Sequence, residues 1–268
     1  MNIDPETPAV ISFFQTPRIS EPDWIPVAKW IRVGFGNEYI ASSRRVMLKR
    51  GFPMHYYFPR KDVNMEMLKE YARGGQPDKW GDKITWHIST NGKKAGNAAW
   101  SFEKPADSAP RDIEKYIAFK WDAMDIWLEE DEEVRVHPRD PYHRLDVCRS
   151  SRHVKILASG EIIAESRCPV LLFETGLPVR FYMPKTNVRM DMLKPTCHQT
   201  QCPYKGTASY YSVRGKTEPK MQNLAWFYPF PNTEVSEIKN MAAFFTERLE
   251  EVFVDGVKLP EMKTKWSL

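Results

Sequence analysis

No stretch of this chain stays apolar for the ~20 residues that a membrane-spanning helix needs. The first residues carry Asp4, Glu6 and several prolines, not the basic and then apolar order of a secretory leader. Charge of neither sign dominates: 39 basic and 35 acidic residues leave a net charge of +4. Nucleic-acid binding, which draws on a clustered basic stripe, is therefore not expected. The acidic run Glu129-Glu-Asp-Glu-Glu133 would repel phosphates and reads as a solvated turn. Cysteine is scarce. Cys148, Cys168, Cys197 and Cys202 show no Cys-x-x-Cys spacing, so no zinc knuckle is expected. These features lead to the expectation of a soluble cytoplasmic protein with free thiols and no membrane partner. The six histidines show no His-Glu-x-x-His spacing. Phosphate-binding loops of the Gly-x-x-x-x-Gly-Lys-Ser/Thr or Gly-x-Gly-x-x-Gly type are missing, as is a Gly-x-Ser-x-Gly elbow. Neither a metal nor a cofactor is expected; a Ser-His-Asp triad assembled only in space stays open.

What the chain does have is a repeat. Glu38-Tyr-Ile-Ala41-Ser-Ser43-Arg44 returns as Glu161-Ile-Ile-Ala164-Glu-Ser166-Arg167. The run from Gly51 to Leu68, with Pro53, Tyr57, Pro59, Val63, Met65 and Met67, returns from Gly176 to Leu193. Ala99-Trp100-Ser-Phe102 matches Ala225-Trp226-Phe-Tyr228. The offset stays near about 125 residues, too long for a solenoid unit but right for a small domain. Two fused copies are expected to form a groove with unequal walls. The chain is also rich in rings, with 9 Trp, 11 Tyr and 14 Phe. Rings with a polar edge suit a site that packs and orients a flat or apolar ligand, although β-core packing accounts for most of them.

Five organisational segments follow. Residues 1–28 form an irregular arm, broken by prolines yet holding Phe13, Phe14, Trp24 and Ile25. Residues 29–136 are the first, diverged repeat, 137–141 a linker, 142–259 the second repeat and 260–268 a tail. In the first repeat, Ile31–Val33 and Tyr39–Ala41 alternate around Gly36-Asn37 as a hairpin does. Val46–Leu48, His55–Phe58 and Lys83–Ile88 read as further strands, the last entering a turn at Asn91-Gly92. The spacing of Ile113, Tyr116, Ile117 and Lys120 predicts a helix over 113–121, capped by Asp112. The second repeat has the same order, with a helix predicted over 236–249 that turns Met241, Phe244, Phe245 and Leu249 inward. The fold class is thus α+β, mostly β: two tandem sheet-dominated domains with one helix each.

Gln201-Cys-Pro-Tyr-Lys-Gly206-Thr-Ala-Ser-Tyr210 resembles the domain-of-unknown-function 427 family. Gly160–Ser166, Phe181-Tyr-Met-Pro184, Ala225-Trp-Phe-Tyr-Pro229 and Phe253-Val-Asp-Gly256 carry the same resemblance, which covers nearly all of the second repeat. The first repeat keeps the frame but has lost the Cys-Pro-Tyr-Lys-Gly element; its counterpart near Pro77-Asp-Lys-Trp80-Gly81 retains little beyond the glycine. The tandem arrangement looks like the two-domain fungal members. The resemblance implies a β-tent-like fold, similar in topology to methionine sulfoxide reductase B, and no settled activity. A nucleotidyltransferase label travels with the family. Such transfer needs carboxylates for divalent metal and a phosphate cradle, and Asp62 and Asp191 are isolated.

Three groups of residues are candidates. In Cys202-Pro-Tyr-Lys-Gly206, Lys205 can meet a ligand oxygen with Tyr204 beside it, while Gly206 lets backbone approach closely. The alternative is a glycine-dependent turn with a buried thiol, and Cys202 as a nucleophile is the least supported reading. Tyr57 with Arg60, and Tyr182 with Lys185, each place a phenol near a cation at a strand end, suited to an enone or carboxylate. Trp86, Trp100 and Trp226 are candidate stacking walls, as is Tyr228. Arg60, Lys185 and Lys205 are the expected catalytic oxygen-binding groups, with Tyr57, Trp86, Trp100, Tyr182, Tyr204 and Trp226 lining the substrate.

The expected partner is a small apolar or aromatic metabolite. The expected chemistry is a cyclisation, isomerisation or cycloaddition of fungal secondary metabolism, a pericyclase of hetero-Diels–Alder type being its sharpest form. Positioning alone can supply roughly 7–11 kcal/mol to such steps. A noncatalytic module that binds a small molecule or peptide is the alternative. Oligomeric state is left open by the sequence.

Overall fold

The structure, a computed structural model, describes residues 23–51, 53–73, 79–90, 92–249, 251–261, 264 and 267. Of the irregular arm expected over residues 1–28, residues 1–22 lie outside the described residues, as do the turn residue Asn91 and most of the tail beyond 261; Trp24–Pro26, within that arm, form a strand paired with Met47–Lys49. The chain divides into two compact units, with the boundary between Asp140 and Pro141.

The first unit contains strands β1 (Trp24–Pro26), β2 (Ile31–Phe35), β3 (Glu38–Ser43), β4 (Met47–Lys49), β5 (His55–Pro59) and β6 (Leu68–Arg73). It continues with β7 (Asp82–Thr90), β8 (Lys93–Glu103), β9 (Tyr116–Phe119), β10 (Ile126–Glu129) and β11 (Glu132–Glu133). Seven strands form one antiparallel sheet in the order β1-β4-β5-β9-β8-β7-β6, and four form another in the order β11-β10-β2-β3. Ile31, Val33 and Phe35 alternate inward on β2 and are fully buried. The β2–β3 turn uses Gly36 and Asn37, both at positive φ (61° and 66°), which matches the right-handed twist of a two-residue hairpin.

The second unit repeats this plan with β12 (Leu145–Arg149), β13 (Val154–Ala158), β14 (Glu161–Ser166), β15 (Val170–Glu174), β16 (Arg180–Tyr182) and β17 (Leu193–Cys202). The remaining strands are β18 (Gly206–Val213), β19 (Ala225–Phe227), β20 (Ala242–Phe244), β21 (Glu251–Val254) and β22 (Val257–Lys258). The order β14-β13-β21-β22 reproduces the four-stranded sheet of the first unit. The sheets β12-β15-β16 and β17-β18-β19-β20 together reproduce the seven-stranded one. Where β5 and β9 form a ladder in the first unit, the second keeps only a Met183–Ala242 bridge, closed by backbone bonds of 2.8 and 2.9 Å. The duplication seen in the letters is therefore a duplication of strand order.

Both repeats are mostly β and antiparallel, as the sequence suggests. The two segments expected to be long helices are built differently. The first runs as a 3-10 turn (Ile113–Lys115), strand β9 and a second 3-10 turn (Trp121–Ala123). The second runs as Thr233–Ile238 in 3-10 form, then β20, then the 3-10 turn Thr246–Arg248. The reason is burial on both faces. Ile117-Ala-Phe119 and Ala242-Ala-Phe244 are buried at every position, each sealed between neighbouring strands. A short continuous apolar run has no periodicity to separate a central strand from a helix. Asp112 does not cap its segment; it sits in the left-handed region (φ 62°) and accepts a bond from Lys115 Nζ at 2.6 Å. Among the described residues no helix is long and apolar enough to cross a membrane.

Candidate functional site

Each unit holds the same buried pair at its centre. Trp100 Nε1 on β8 donates to Tyr57 Oη on β5 at 3.1 Å, and the rings meet edge-on at 88°. Trp226 Nε1 on β19 donates to Tyr182 Oη on β16 at 3.1 Å, again at 88°. All four residues belong to their own unit's core. The bond satisfies an indole and a phenol that are both out of water. Burial drives the Tyr182 hydroxyl far above the usual phenol range.

The phenol–cation pairs expected from sequence do not form. Arg60, just after β5, donates to Ser101 Oγ at 2.7 Å and to the Glu114 carbonyl at 3.1 Å. Trp86 Nε1 reaches the same Ser101 Oγ at 3.0 Å, and the Arg60 guanidinium lies 5.6 Å from the Trp86 ring. Lys185, the counterpart of Arg60, places Nζ 3.6 Å from the Phe227 ring and 5.6 Å from that of Tyr211. Ser101 follows Trp100 and Phe227 follows Trp226, and successive strand residues point to opposite faces. Arg60, Trp86 and Lys185 thus sit on the sheet face opposite the Tyr–Trp pair of their unit, where the cations cover aromatic surface. Burial lowers the Arg60 pKa.

Lys205 stands apart from these two. It occupies the turn into β18, beside Gly206, whose φ of +99° and 3.0 Å approach of the Phe230 carbonyl to a hypothetical Cβ require glycine. Asn232 pins the turn, its N donating to the Lys205 carbonyl at 3.1 Å and its Nδ2 to the Pro203 carbonyl at 3.0 Å. The turn aims the Lys205 ammonium at Glu174, the last residue of β15, with which it forms an ion pair. The other Glu174 oxygen meets His143 Nε2 at 3.0 Å, and Tyr204 stacks on the His143 ring at 4.1 Å. Glu174 and Lys205 retain only 5% and 12% of their side-chain exposure. Burial pushes the Glu174 carboxyl upward, but the Lys205 charge and the His143 bond outweigh it and hold the group at about 2.

A second ion pair lies in the same core. Arg180 donates twice to Glu247, at 2.6 and 2.7 Å, with its guanidinium 5.4 Å from the Trp226 ring. Tyr210 pairs its hydroxyl with Thr200 Oγ1 at 2.7 Å. Tyr228, 5% exposed, has its hydroxyl raised well above the phenol range by burial, with Tyr182, Cys202, Tyr210 and Glu174 within electrostatic reach. Glu174, Tyr182, Lys205, Tyr210, Trp226 and Tyr228 therefore gather in one place. Of the residues expected from sequence, Lys205, Tyr204, Tyr182 and Trp226 are brought together here. Tyr228, expected as a stacking surface, is here too, whereas Glu174, His143 and Arg180 were not foreseen.

Strand register identifies what the first unit has at each of these positions. Tyr57 pairs with Met47 and Tyr182 with Val170, so His55 matches Arg180 and Lys49 matches Leu172. Five residues (50–54) join Lys49 to His55, whereas seven (173–179) join Leu172 to Arg180. The extra pair lengthens β15 and carries Glu174, which has no counterpart in the first unit. The pairing of β7 with β8 and of β18 with β19 places Trp80 at the Lys205 position and Phe102 at that of Tyr228. The Trp80 carbonyl accepts from Ala106 N as that of Lys205 accepts from Asn232 N. Trp80 packs on Tyr57 (6.1 Å), Trp24 (6.1 Å) and Phe102 (5.9 Å), and Trp24 meets Tyr57 at 4.9 Å. One copy of the frame is filled with rings; the other keeps a buried ion pair and an extra phenol.

Among the described residues no group of three His, Cys, Asp or Glu side chains is arranged to hold a metal ion. The four cysteines are free, with Cys202 half-buried and the others exposed. A comparison with curated proteins finds no match. The family described as Domain of unknown function (DUF427) matches residues 23–130 and again 146–255, one segment in each unit. On that double match the chain belongs to the domain-of-unknown-function 427 family, as a tandem two-domain member.

Proposed function

We propose that the second unit binds a small, mainly apolar or aromatic metabolite and promotes its cyclisation or isomerisation without a cofactor. Lys205 and the neighbouring phenols polarise an oxygen of the ligand, and the surrounding rings hold it in a reactive pose. A pericyclic step of secondary metabolism is the sharpest form of this reading. The observation that carries it is the buried Lys205–Glu174 pair. Replacing such a pair by packed apolar groups is neutral or stabilising by about 1–4 kcal/mol. The first unit has rings at the equivalent place, so the frame tolerates the apolar solution. A charged pair retained where packing would serve stability points to a ligand. Developing negative charge on a carbonyl would meet an ammonium already oriented, so little reorganisation accompanies the reaction.

Binding without turnover is the second reading. It is favoured by Glu174, which is held at about 2 and so makes a poor proton acceptor at neutral pH. Three exposed free thiols suit a reducing compartment, and we place the protein in the cytoplasm. Neither nucleic acid nor membrane is part of the proposal.

The test is a binding panel of aryl enones, quinone methide precursors and nucleotides, read by amide hydrogen exchange. Protection of β15, β18 and β19 by an enone supports the site, and an isomeric product of unchanged mass supports turnover. Nucleotide binding without enone binding, or protection confined to the first unit, defeats the proposal.

A further inference from the structure

Strand register collects cations on one face of the first unit's seven-stranded sheet. Lys49 on β4 stands opposite His55 on β5. Ala118 on β9 stands opposite Tyr57, Trp100 on β8 opposite Ala118, and Thr85 on β7 opposite Trp100. Paired residues share a face, and so do residues two apart on a strand. Lys49, His55 and Lys83 therefore lie on the face that carries the Tyr57–Trp100 bond. The His55 ring meets the Trp100 ring edge-on at 4.8 Å, and Lys83 Nζ lies 5.3 Å from that ring. Lys79, just ahead of β7, holds Nζ 5.2 Å from the Trp80 ring, which packs on Tyr57.

These charges are poorly matched. Lys49 Nζ donates only to the carbonyls of Gly51 and Pro53, at 3.2 and 3.5 Å, and among the described residues neither it nor Lys79 nor Lys83 forms an ion pair. The neighbouring carboxylates Asp82 and Glu103 pair with Lys104 and Arg73. Burial lowers the Lys49 ammonium pKa and the Lys79 charge lowers it further, against a smaller opposite pull from Asp23. His55 is held at about 4, by burial first and then by the Lys49 and Lys83 charges, so it is neutral at pH 7. Three ammoniums against the Asp23 carboxylate leave about two positive charges unmatched. Gathering like charges is unfavourable, and an anion among them reverses that cost.

The frame does not require these lysines. In the second unit Leu172 stands at the Lys49 position and Ala208 at that of Lys83, both buried. There each buried cation also has its carboxylate, Lys205 with Glu174 and Arg180 with Glu247. On the first unit's face Glu174 has no counterpart. The residue at the Glu247 position, Asp122, is exposed and forms no ion pair among the described residues.

We propose that this face of the first unit is a second ligand site, where Lys49, Lys79 and Lys83 bind the phosphate group of a small molecule beside His55. A phosphate monoester carries close to two negative charges on one compact group with three acceptor oxygens, which matches the unmatched charge. The site is independent of the one proposed in the second unit.

The experiment titrates the whole chain at pH 7.5 with phenyl phosphate, inorganic phosphate and benzoate, read by calorimetry and by the His55 ring signals in NMR spectra. Both phosphates should move the His55 signals and bind more tightly than benzoate. Lys49→Gln and Lys83→Gln should each weaken phosphate binding by about fivefold or more, while Lys61→Gln, at an exposed lysine of the same unit, leaves it unchanged. Tighter binding of phenyl phosphate than of inorganic phosphate assigns an organic ester, and equal binding assigns free phosphate; either supports the site. Unmoved His55 signals, equal or tighter benzoate binding, or equal losses in all three variants overturn the proposal. Enone binding to the second unit is read separately by protection of β15, β18 and β19, so either site can fail without the other. Melting temperature guards against misfolding: Lys49→Gln and Lys83→Gln should match wild type or exceed it, since each relieves repulsion, and a clear drop in both would make the lysines structural and overturn the site.

Discussion

Removing the Lys205 ammonium should hurt the second unit more than removing both members of its pair. In Lys205→Met the Glu174 carboxylate stays 5% exposed but keeps only His143, at 3.0 Å. Breaking a buried pair from one side costs about 3–5 kcal/mol, and the surviving imidazole bond places this case near the lower end. In Lys205→Met with Glu174→Leu the stranded charge is gone, and stability should return to within about 1 kcal/mol of wild type or exceed it. The acid limb supplies an independent check. The Glu174 carboxyl falls from 4.5 to about 2 in the folded chain. A folded value below the unfolded one stabilises above the unfolded pKa, and that gain disappears as pH falls through the folded value. Ionised Glu174 is thus favoured over its protonated form by on the order of 3 kcal/mol at neutral pH, a stabilisation lost between about pH 5 and pH 2. The acid-sensitive part should shrink in both variants. Urea unfolding read by hydrogen exchange of β15, β18 and β19 isolates the second unit from the first. A single variant that costs less than about 1 kcal/mol, or a double variant as damaged as the single, would refute the argument.

Two further outcomes follow from the shared frame and the turn. Tyr57→Phe and Tyr182→Phe each leave a buried indole N–H without its acceptor, so each should destabilise its own unit by about 1–3 kcal/mol in unit-resolved hydrogen exchange. Equal losses in the two would fit the equivalence of the pairs, and no loss in either would sink it. Gly206→Ala forces a side chain into φ +99° with a carbonyl 3.0 Å away. It should cost more than about 1 kcal/mol and displace Lys205, lowering ligand affinity together with melting temperature.

Strand content was legible because both repeats alternate or punctuate cleanly. Gly36-Asn37, Ser159-Gly160 and Asp255-Gly256 mark two-residue turns that the structure builds at positive φ. The helices over 113–121 and 236–249 were misread for a physical reason. Ile117-Ala-Phe119 and Ala242-Ala-Phe244 lie in strands covered on both sides, so no polar face interrupts the run. Lys205 and Gly206 were found through the motif that contains them. Glu174 was missed because alignment of the repeats on Gly51 and Gly176 hides the two added residues; Arg50 alone stands where the second repeat has Phe173-Glu-Thr175. Read as a strand end, Glu174 looks like any solvated terminus. Only the pairing of β15 with β12 as far as Leu145 shows that the strand continues and carries the carboxylate inward.

That small length difference explains why the two halves went separate ways. A lysine at the Trp80 position would need a carboxylate from the neighbouring strand, and β4 ends at Lys49, before the place where Glu174 stands on β15. Without that partner a buried ammonium is heavily penalised, whereas an indole there gains ring contacts with Tyr57, Trp24 and Phe102. In the first unit Phe102 fills the Tyr228 position, packed in a cluster with Tyr57, Trp80, Trp100, Ile113 and Ala118. The shorter strand of the first unit therefore removes the partner of the lysine. It leaves the Tyr–Trp bond, which depends on neither, as the feature common to both copies.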